Sequence, residues 1–359
     1  MVPVSSVGSP SSSLLQPEQA LAQGRWVKLI CGASNQDLAA IEDLAGLYAL
    51  AGVQCIDAAA DRGVVAAVRR GVAWAQGRGA GVPWLMVSLS DGPDPHFRKA
   101  WFDPARCPAD CRRPCERVCP ALAIGVAATG HAGVLEERCY GCGRCLPACP
   151  LGLIEERSQV LAAADVPALL AELQPNALEL HCQAGRLPAF AQRLEQLAAS
   201  GVPLQRVAVS MAPAAAAPPE ALAQELWARF TLLRAAGFRP LWQLDGKPMS
   251  GDLGPAPARE AVRLLAHLGR LAPPGPLQLA GGTNAQTHAE LDRQNLRAKA
   301  AGVAFGGEAR RRLQPWLQQA HQRGLRLLDC ADLWPDALRQ AQALVEPWLS
   351  PGLGSIQGC

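Results

Sequence analysis

Residues 177–211, ALELHCQAGRLPAFAQRLEQLAASGVPLQRVAVSM, contain the pattern that repeats along most of this 359-residue chain. An apolar run, Ala177–Cys182, is followed by a helical pattern over Leu187–Ala199 and by a second apolar run, Arg206–Met211. Short apolar runs bounded by turns are typical of strands that are buried on both faces. A strand, a helix and a second strand in this order predict a parallel sheet with right-handed crossovers.

The same alternation extends in both directions and gives eight strand–helix pairs. The predicted strands are Val27–Cys31, Gln54–Ala58, Pro83–Leu89, Ala177–Cys182, Arg206–Met211, Leu241–Leu244, Leu277–Ala280 and Val303–Phe305. Without an N-terminal tail and one insertion, the pairs occupy about 270 residues, close to the ~250 typical of an eight-stranded barrel. We therefore predict an α/β fold, a TIM-barrel-like (β/α)8 barrel. A ninth apolar run, Leu325–Leu328, with a helix over Asp332–Trp348, leaves open a C-terminal extension or an open, doubly wound sheet.

The alternation is interrupted once, after the third strand, where Asp91–Pro95 is a dense turn signal. The predicted organisation is a disordered tail (1–24), a first part of the barrel (25–93), an inserted α+β ferredoxin-like module (94–157), and a second part of the barrel with a C-terminal extension (158–359). Because the insertion follows a strand directly, it occupies a βα loop. Such loops form the functional face of these barrels, so we expect the module to lie over the barrel mouth.

Composition argues against several classes of protein. The first 24 residues are rich in Ser, Pro, Gly and Gln and have neither a basic start nor a long apolar run, so they predict a flexible tail and no secretion signal. Nowhere do 18 apolar residues follow one another, so we expect no membrane span. The net charge of +3 is too small to indicate nucleic acid or a membrane surface as the main partner.

Eight of the thirteen cysteines lie in two runs that each end in Cys-Pro. The second run has the spacing C-x2-C-x2-C-x3-C-P of bacterial ferredoxins, in which the fourth cysteine binds a neighbouring cluster. A zinc ribbon would leave half of these cysteines without a role, and disulfides would need an oxidising compartment. The sequence therefore predicts iron–sulfur clusters in a reducing cytoplasm. The metal ligands are predicted to be Cys107, Cys111, Cys115 and Cys119 in the first run, and Cys139, Cys142, Cys145 and Cys149 in the second.

The exchange of fourth ligands predicts which cysteines share a cluster. We expect Cys119 to join the first three cysteines of the second run, and Cys149 to join the first three of the first run. Two 4Fe–4S clusters are expected, but every gap in the first run has three residues, so a 3Fe–4S cluster is the alternative there. Ile124 and Ile154, five residues beyond each run, are placed to shield a cluster.

The insertion also carries many basic residues, which indicate either a mixed, solvated surface or a docking patch for an anionic partner. These residues are Arg98, Lys99, Arg106, Arg112, Arg113, Arg117, Arg138 and Arg144. The remaining cysteines outside the two runs are Cys31, Cys55, Cys182, Cys330 and Cys359. Cys31 and Cys182 end predicted strands, where a cluster ligand or a redox-active thiol is the alternative, but a small buried apolar side chain is the simpler interpretation.

Paired glycines follow the last two predicted strands, Gly281-Gly282 after the seventh and Gly306-Gly307 after the eighth. Barrels bind phosphate at these positions because backbone amides can approach an anion closely. They predict a phosphate-bearing ligand, with flavin mononucleotide (FMN) as the natural redox choice; the alternative is tight turns that need glycine. Other polar residues at predicted strand ends could face a ligand, but their arrangement identifies no reaction. They are Asp57, His181, Asp245 and Lys247.

Several stretches of the chain resemble the LdpA family, the light-dependent period proteins of cyanobacteria. They are Trp26–Asn35, Gly52–Asp61, Pro95–Ala100, Cys139–Pro150 (CYGCGRCLPACP) and Asp245–Asp252 (DGKPMSGD). The resemblance implies a cytoplasmic iron–sulfur protein that senses cellular redox state, which reports light. It also implies association with circadian clock proteins and with the input histidine kinase. The eight cysteines of the two runs carry over as cluster ligands, and no catalytic residue carries over.

The favoured function is therefore a redox-sensing regulatory protein that conveys light-dependent redox state to the circadian clock, rather than an enzyme. The alternative is a flavin-dependent iron–sulfur oxidoreductase whose clusters feed electrons to a barrel-bound cofactor. A simple electron carrier is a third hypothesis, although electron transfer alone would not require a domain as large as the barrel. The sequence identifies neither the electron donor nor the oligomeric state.

Overall fold

Helices and strands alternate from residue 17 onward in the computed structural model, which describes residues 16–94, 97–119, 121–127, 130–139, 141–158, 161–213, 217–246 and 255–350. The first part contains α1 (Pro17–Ala22), β1 (Trp26–Gly32), α2 (Leu38–Leu50), β2 (Cys55–Ala59), α3 (Arg62–Gln76) and β3 (Trp84–Ser90). An insertion follows, with β4 (Arg98–Trp101), α4 (Pro114–Arg117), β5 (Ile124–Ala127), β6 (Gly130–Val134), α5 (Cys145–Ala148) and β7 (Glu155–Ser158).

The second part continues the alternation to the end of the described chain. It contains α6 (Val166–Leu173), β8 (Ala177–His181), α7 (Leu187–Ala199), β9 (Arg206–Met211), α8 (Pro219–Ala235), β10 (Pro240–Asp245), α9 (Pro255–Leu268), β11 (Leu277–Ala280), α10 (Thr287–Arg293), β12 (Gly302–Phe305), α11 (Gly307–Gln322) and α12 (Trp334–Leu349). Among the described residues, no helix is long and apolar enough to cross a membrane.

Eight parallel strands close into a barrel in the order β1-β2-β3-β8-β9-β10-β11-β12. The last pair, β12 with β1, closes it with Trp26 opposite Gly302. A side chain at Gly302 would place its Cβ 2.0 Å from the backbone oxygen of Trp26, so only glycine permits this approach. The TIM-barrel prediction is confirmed by this closed sheet.

The run Leu325–Leu328 is not a strand of the sheet, so the open alternative is wrong. Leu327–Asp329 form a short 3-10 helix, and the Asp43 carboxylate accepts hydrogen bonds from the backbone N–H groups of Leu327 (2.9 Å) and Leu328 (3.0 Å). The helix that follows, α12, packs outside the barrel against α2 and α11. The C-terminal segment is therefore an extension of the barrel's outer layer.

The N-terminal tail does not extend as far as residue 24, contrary to the sequence prediction. Residues Pro17–Ala22 form α1, and its Ala20 and Leu21 are buried. They pack with a layer of apolar side chains at the N-terminal end of the barrel, which includes Trp26, Met86 and Leu241. The Glu18 carboxylate pairs with Arg206 and Arg239 beside this contact. Residues 1–15 lie outside the described part of the chain.

The interior changes character toward the C-terminal end of the barrel, where charged side chains replace apolar ones. Lys28 of β1 is fully buried and pairs with Glu179 of β8 and with Asp57 of β2, whose Oδ2 lies 3.2 Å from Nζ. His181 of β8 places Nε2 3.1 Å from Oε1 of Glu179. Gln243 donates to the same Oε1 at 2.7 Å. The sequence analysis pointed to Asp57 and His181 but missed Lys28 and Glu179.

Burial and mutual pairing shift the pKa values in this network. Burial raises the pKa of Asp57 to about 7. Burial would lower the pKa of His181, but the Glu179 carboxylate outweighs it and raises that pKa to about 9. The pKa of Lys28 is raised for the same reason, because Asp57 and Glu179 outweigh its desolvation. At neutral pH the barrel interior therefore contains two cations held by carboxylates.

The contact of α1 with the barrel predicts a stability effect. Replacing Leu21 by Ala should lower the free energy of unfolding by about 2–4 kcal/mol, because it leaves a cavity in a buried apolar layer. The matched control is Leu325→Ala, since Leu325 is 51% exposed and surface changes stay within about 0.5 kcal/mol. Urea denaturation measures both. An equal effect of the two substitutions would show that α1 does not stabilise the N-terminal end of the barrel.

The raised pKa of His181 predicts a loss of stability at alkaline pH. Below pH 6.5 the folded and unfolded states both hold the proton, whereas between 6.5 and about 9 only the folded state retains it. Stability is therefore lost as pH rises through that window. Between pH 7.5 and 9.5 the unmodified protein should lose about 2 kcal/mol more than His181→Gln.

The control for this measurement is His288→Gln, because burial lowers the pKa of His288. A histidine with a lowered pKa contributes nothing to a loss of stability above pH 7.5. Parallel stability–pH curves for the unmodified protein and His181→Gln would contradict the assignment of a protonated His181.

Candidate metal centre

The described residues of the insertion between β3 and α6 form two short antiparallel sheets and two one-turn α-helices. β4 pairs with β7 and β5 pairs with β6. The helices α4 and α5 carry Cys115 and Cys145, both of which are buried. Ile124 and Ile154 are also buried and join these cysteines in one apolar cluster with Phe102. The insertion thus has a small core of its own, in which cysteines replace part of the usual apolar content.

Four thiols from both runs surround one cavity. They belong to Cys119 of the first run and to Cys139, Cys142 and Cys145 of the second. The cavity has a volume of about 20 Å³, and its other walls are apolar or glycine: Ala100, Ala121, Ala123, Ile124, Val134 and Gly143. Burial raises the pKa of Cys145 to about 12, and the neighbouring thiols of Cys142, Cys139 and Cys119 contribute in the same direction.

The other four cysteines of the two runs, Cys107, Cys111, Cys115 and Cys149, are called the second group. The pKa of Cys107 is raised by burial, by a hydrogen bond with Cys111, and by the charges of Cys111 and Cys115. Burial also raises the pKa of Cys115, and Cys149 is the thiol that contributes most to the same shift. Cys149 therefore lies close enough to Cys115 to interact with it electrostatically. The assignment of the eight cysteines to two clusters stays a prediction.

Backbone amides surround several of these sulfur atoms. The N–H groups of Ala123 and Ala100 donate to Sγ of Cys119 (3.2 Å) and of Cys139 (3.3 Å). Burial would raise the pKa of Cys149, but backbone amides from residues 151–154 outweigh it and lower that pKa. Such N–H···S bonds stabilise thiolate over thiol and tune the potential of any cluster that the sulfur binds.

The donor set of four thiols around one cavity fits an iron–sulfur cluster, which is held by four cysteine thiolates. Within the described ranges, no three His, Cys, Asp or Glu side chains come close enough to hold one metal ion. The thiols of the first group instead line a space between them. Bound iron would relieve the cost of ionising neighbouring buried thiols, because a coordinating thiol is deprotonated by the charge of the metal.

The basic residues of the insertion do not form one continuous exposed patch. Lys99 is only 3% exposed, so its assignment to a docking surface is wrong. Arg98 pairs with Glu156, and Arg138 lies 3.9 Å from Asp37. The exposed members lie around the first cysteine run: Arg106, Arg112 and Arg117.

The insertion is attached to the C-terminal mouth of the barrel. The Phe97 ring packs edge-on against His181, with 5.4 Å between ring centroids. The backbone N–H of Gln36, in the loop after β1, donates to the backbone carbonyl oxygen of Glu137 at 2.8 Å. Lys99 donates to Oε1 of Gln36 at 2.6 Å. These contacts place the segment before Cys139 directly beside the barrel mouth. Gln36 and the role of Lys99 were missed by the sequence analysis, because no motif marks either residue.

The paired glycines occupy turns at the same mouth. Gly281 and Gly282 have φ angles of 61° and 92°, a conformation that favours glycine in any tight turn. Gly306 and Gly307 stand at the N-terminus of α11. A phosphate-bearing ligand such as FMN therefore stays a prediction. Asp245 is buried at the end of β10, where the Ser210 hydroxyl donates to it, and Lys247 lies outside the described residues.

Four of the cysteines outside the two groups are buried: Cys31, Cys55, Cys182 and Cys330. Burial raises the pKa of Cys31 to about 12, as expected of a core thiol and not of a reactive one. Cys359 lies outside the described residues.

Comparison of the fold with solved structures gives distant likenesses. An old yellow enzyme homologue from Zymomonas mobilis is 11% identical with a TM-score of 0.38, covering 87% of this chain and 93% of that one. The (S)-3-O-geranylgeranylglyceryl phosphate synthase from Thermoplasma acidophilum is 11% identical with a TM-score of 0.32, covering 92% and 98%. The barrel assignment rests on the strand order and not on these likenesses.

Comparison of the sequence is more specific. Residues 107–160 match the LdpA Fe-S cluster-binding domain, and residues 169–347 match the light dependent period A C-terminal domain. Light dependent period A of Synechococcus elongatus is 47% identical over 338 residues, which is 92% of this chain and 93% of that protein. The match to the cluster-binding domain covers all eight cysteines of the two runs. The chain therefore belongs to the light dependent period A family, and it contains that family's iron–sulfur domain.

Proposed function

We propose that each cysteine group holds one iron–sulfur cluster and that the protein is a redox sensor which conveys light-dependent cellular redox state to the circadian clock. The observation that supports this most directly is the cavity lined by Cys119, Cys139, Cys142 and Cys145. When bound there, a cluster supplies reversible one-electron chemistry at potentials that its sulfur hydrogen bonds and solvent exposure adjust. We expect 4Fe–4S at this site and either 4Fe–4S or 3Fe–4S at the other.

The protein's own residues would turn that electron into a signal through charge. The amides of Ala100 and Ala123 hold two of the sulfur atoms in place. The segment before Cys139 contacts the barrel through Gln36. The negative charge that reduction adds to the cluster therefore acts next to the contact between the insertion and the barrel. A regulator of this kind needs only about 1–3 kcal/mol of coupling to a partner.

We further propose a cytoplasmic location and association with circadian clock proteins and the input histidine kinase. Iron–sulfur clusters and the free thiols of the described cysteines suit a reducing compartment. The relative from Synechococcus elongatus bears the name light dependent period A, which connects that protein with the length of a light-dependent period. The exposed Arg106, Arg112 and Arg117 around the first run are the surface on which an acidic partner or electron donor would dock.

Cluster content is the first test. Protein purified without oxygen should contain about seven or eight irons per chain with a similar amount of acid-labile sulfide. Cys142→Ser should remove about half of the iron and one of two paramagnetic signals, because it removes a ligand of one group only. Cys330→Ser, at a buried thiol outside both groups, should leave the iron content unchanged. Stoichiometric zinc without sulfide would overturn the proposal.

The second test is cellular. Replacing Cys119 and Cys149 together with Ala removes one ligand from each group and should make the clock period insensitive to light intensity while the rhythm persists. The same strain carrying Cys330→Ala should keep the normal light dependence. If the double variant accumulates to its normal level and the period still follows light, the clusters are not the sensor.

A further inference from the structure

Lys99 lies between the first cysteine group and the barrel. It belongs to β4 and is 3% exposed, whereas the side chain of its neighbour Arg98 lies on the opposite face of the strand and is partly exposed. Its Nζ donates to Oε1 of Gln36 at 2.6 Å and to the backbone oxygen of Glu136 at 2.7 Å. A buried lysine is costly unless its charge is used or balanced.

The charge of Lys99 acts on a sulfur atom of the first group. Burial lowers the pKa of Lys99, whereas the charges of Glu136, Cys139, Glu137 and Asp61 act in the opposite direction and favour the ammonium form. The next residue, Ala100, donates its N–H to Sγ of Cys139 at 3.3 Å. β4 thus carries the hydrogen-bond donor to this sulfur atom and, one residue before it, a buried lysine whose charge interacts with the same cysteine.

We propose that Lys99 is a positioning residue that raises the reduction potential of the cluster held by Cys119, Cys139, Cys142 and Cys145 and couples its charge to the loop between β1 and α2. This inference rests on the proposed cluster. A one-electron reduction adds one negative charge to the cluster and its four thiolates. A fixed cation nearby, shielded from water, stabilises the reduced form more than the oxidised form.

The coupling follows from the partners that Lys99 shares. Gln36 accepts from Lys99 and donates its backbone N–H to Glu137, two residues before Cys139. Asp37, the next residue, caps α2 by accepting from the N–H of Ala40 at 3.2 Å. Reduction draws the ammonium toward the sulfur and weakens its bond to Gln36. The first turn of α2 then becomes less protected when the cluster is reduced.

The test is a redox titration with dithionite, followed by paramagnetic resonance. Lys99→Gln removes the charge but keeps an amide donor, and it should disfavour reduction of this cluster about tenfold, a shift of 59 mV for one electron. Lys99→Arg should restore the original potential. Arg98→Gln, next to it on the same strand but partly exposed, is the matched control and should leave the potential unchanged.

A second variant tests the same charge without altering Lys99. Gln36→Glu places a carboxylate where the Lys99 ammonium already donates. It should therefore lower the reduction potential of this cluster, as Lys99→Gln does, while the fold is kept. Hydrogen exchange of the first turn of α2 should be faster in the reduced protein, and Lys99→Gln should remove this difference.

The outcomes separate this inference from the proposed function. Lys99→Gln or Gln36→Glu with full iron content and an unchanged potential overturns the role of Lys99 but leaves the clusters in place. Redox-independent exchange of α2 in the unmodified protein overturns the coupling. Unmodified protein that binds no iron and sulfide overturns the proposed function itself, since no potential can then be measured.

Discussion

A lysine sealed inside the barrel constrains much of the rest of the structure. Lys28 has no exposed surface, so its charge must be balanced by side chains that reach it from other strands. Asp57 comes from the neighbouring strand, and Glu179 comes from β8, with two strands between it and β1. This balance fixes the relative register of the strands that contribute it. Through Glu179 it also holds His181, against which the first aromatic residue of the insertion packs.

The two cysteine runs constrain the insertion in a comparable way. Because Cys119 lines one cavity with Cys139, Cys142 and Cys145, that set of four thiols is incomplete without the first run. The two halves of the insertion must therefore assemble together. The segment that separates the runs contains β5 and β6, and the residues just before Cys139 contact the barrel. Formation of the thiol groups and attachment to the barrel mouth thus involve the same few residues.

The barrel could be predicted from sequence because each strand is a continuous apolar run between turn signals. Arg206–Met211, for example, has the same bounds in the sequence pattern and in the structure. Two kinds of feature could not be predicted. The pairing of Lys28 with Glu179 depends on the closure of the barrel, which no local spacing encodes. The burial of α1 depends on its fit to an end of the barrel, whereas its own composition resembles that of a flexible tail.

The candidate site shows the same division. The position of Cys119 beside Cys139, Cys142 and Cys145 could be anticipated, because the ferredoxin rule of exchanged ligands is independent of the wider gaps in the first run. The position of Lys99 could not, because a lysine in a charged segment resembles its solvated neighbours until the strand is oriented. Its alternation with Arg98 places one of the two basic residues inward, and only the pairing of β4 with β7 determines which.

The position of α1 also has a consequence for how the two ends of the barrel are covered. Since α1 packs against the N-terminal end, the charged side chains around Lys28 and Asp57 lie toward the opposite end. Phe97 and Lys99 of the insertion contact that end. The barrel is therefore covered at one end by apolar side chains of α1 and, in part, at the other end by the segment that carries the cysteines.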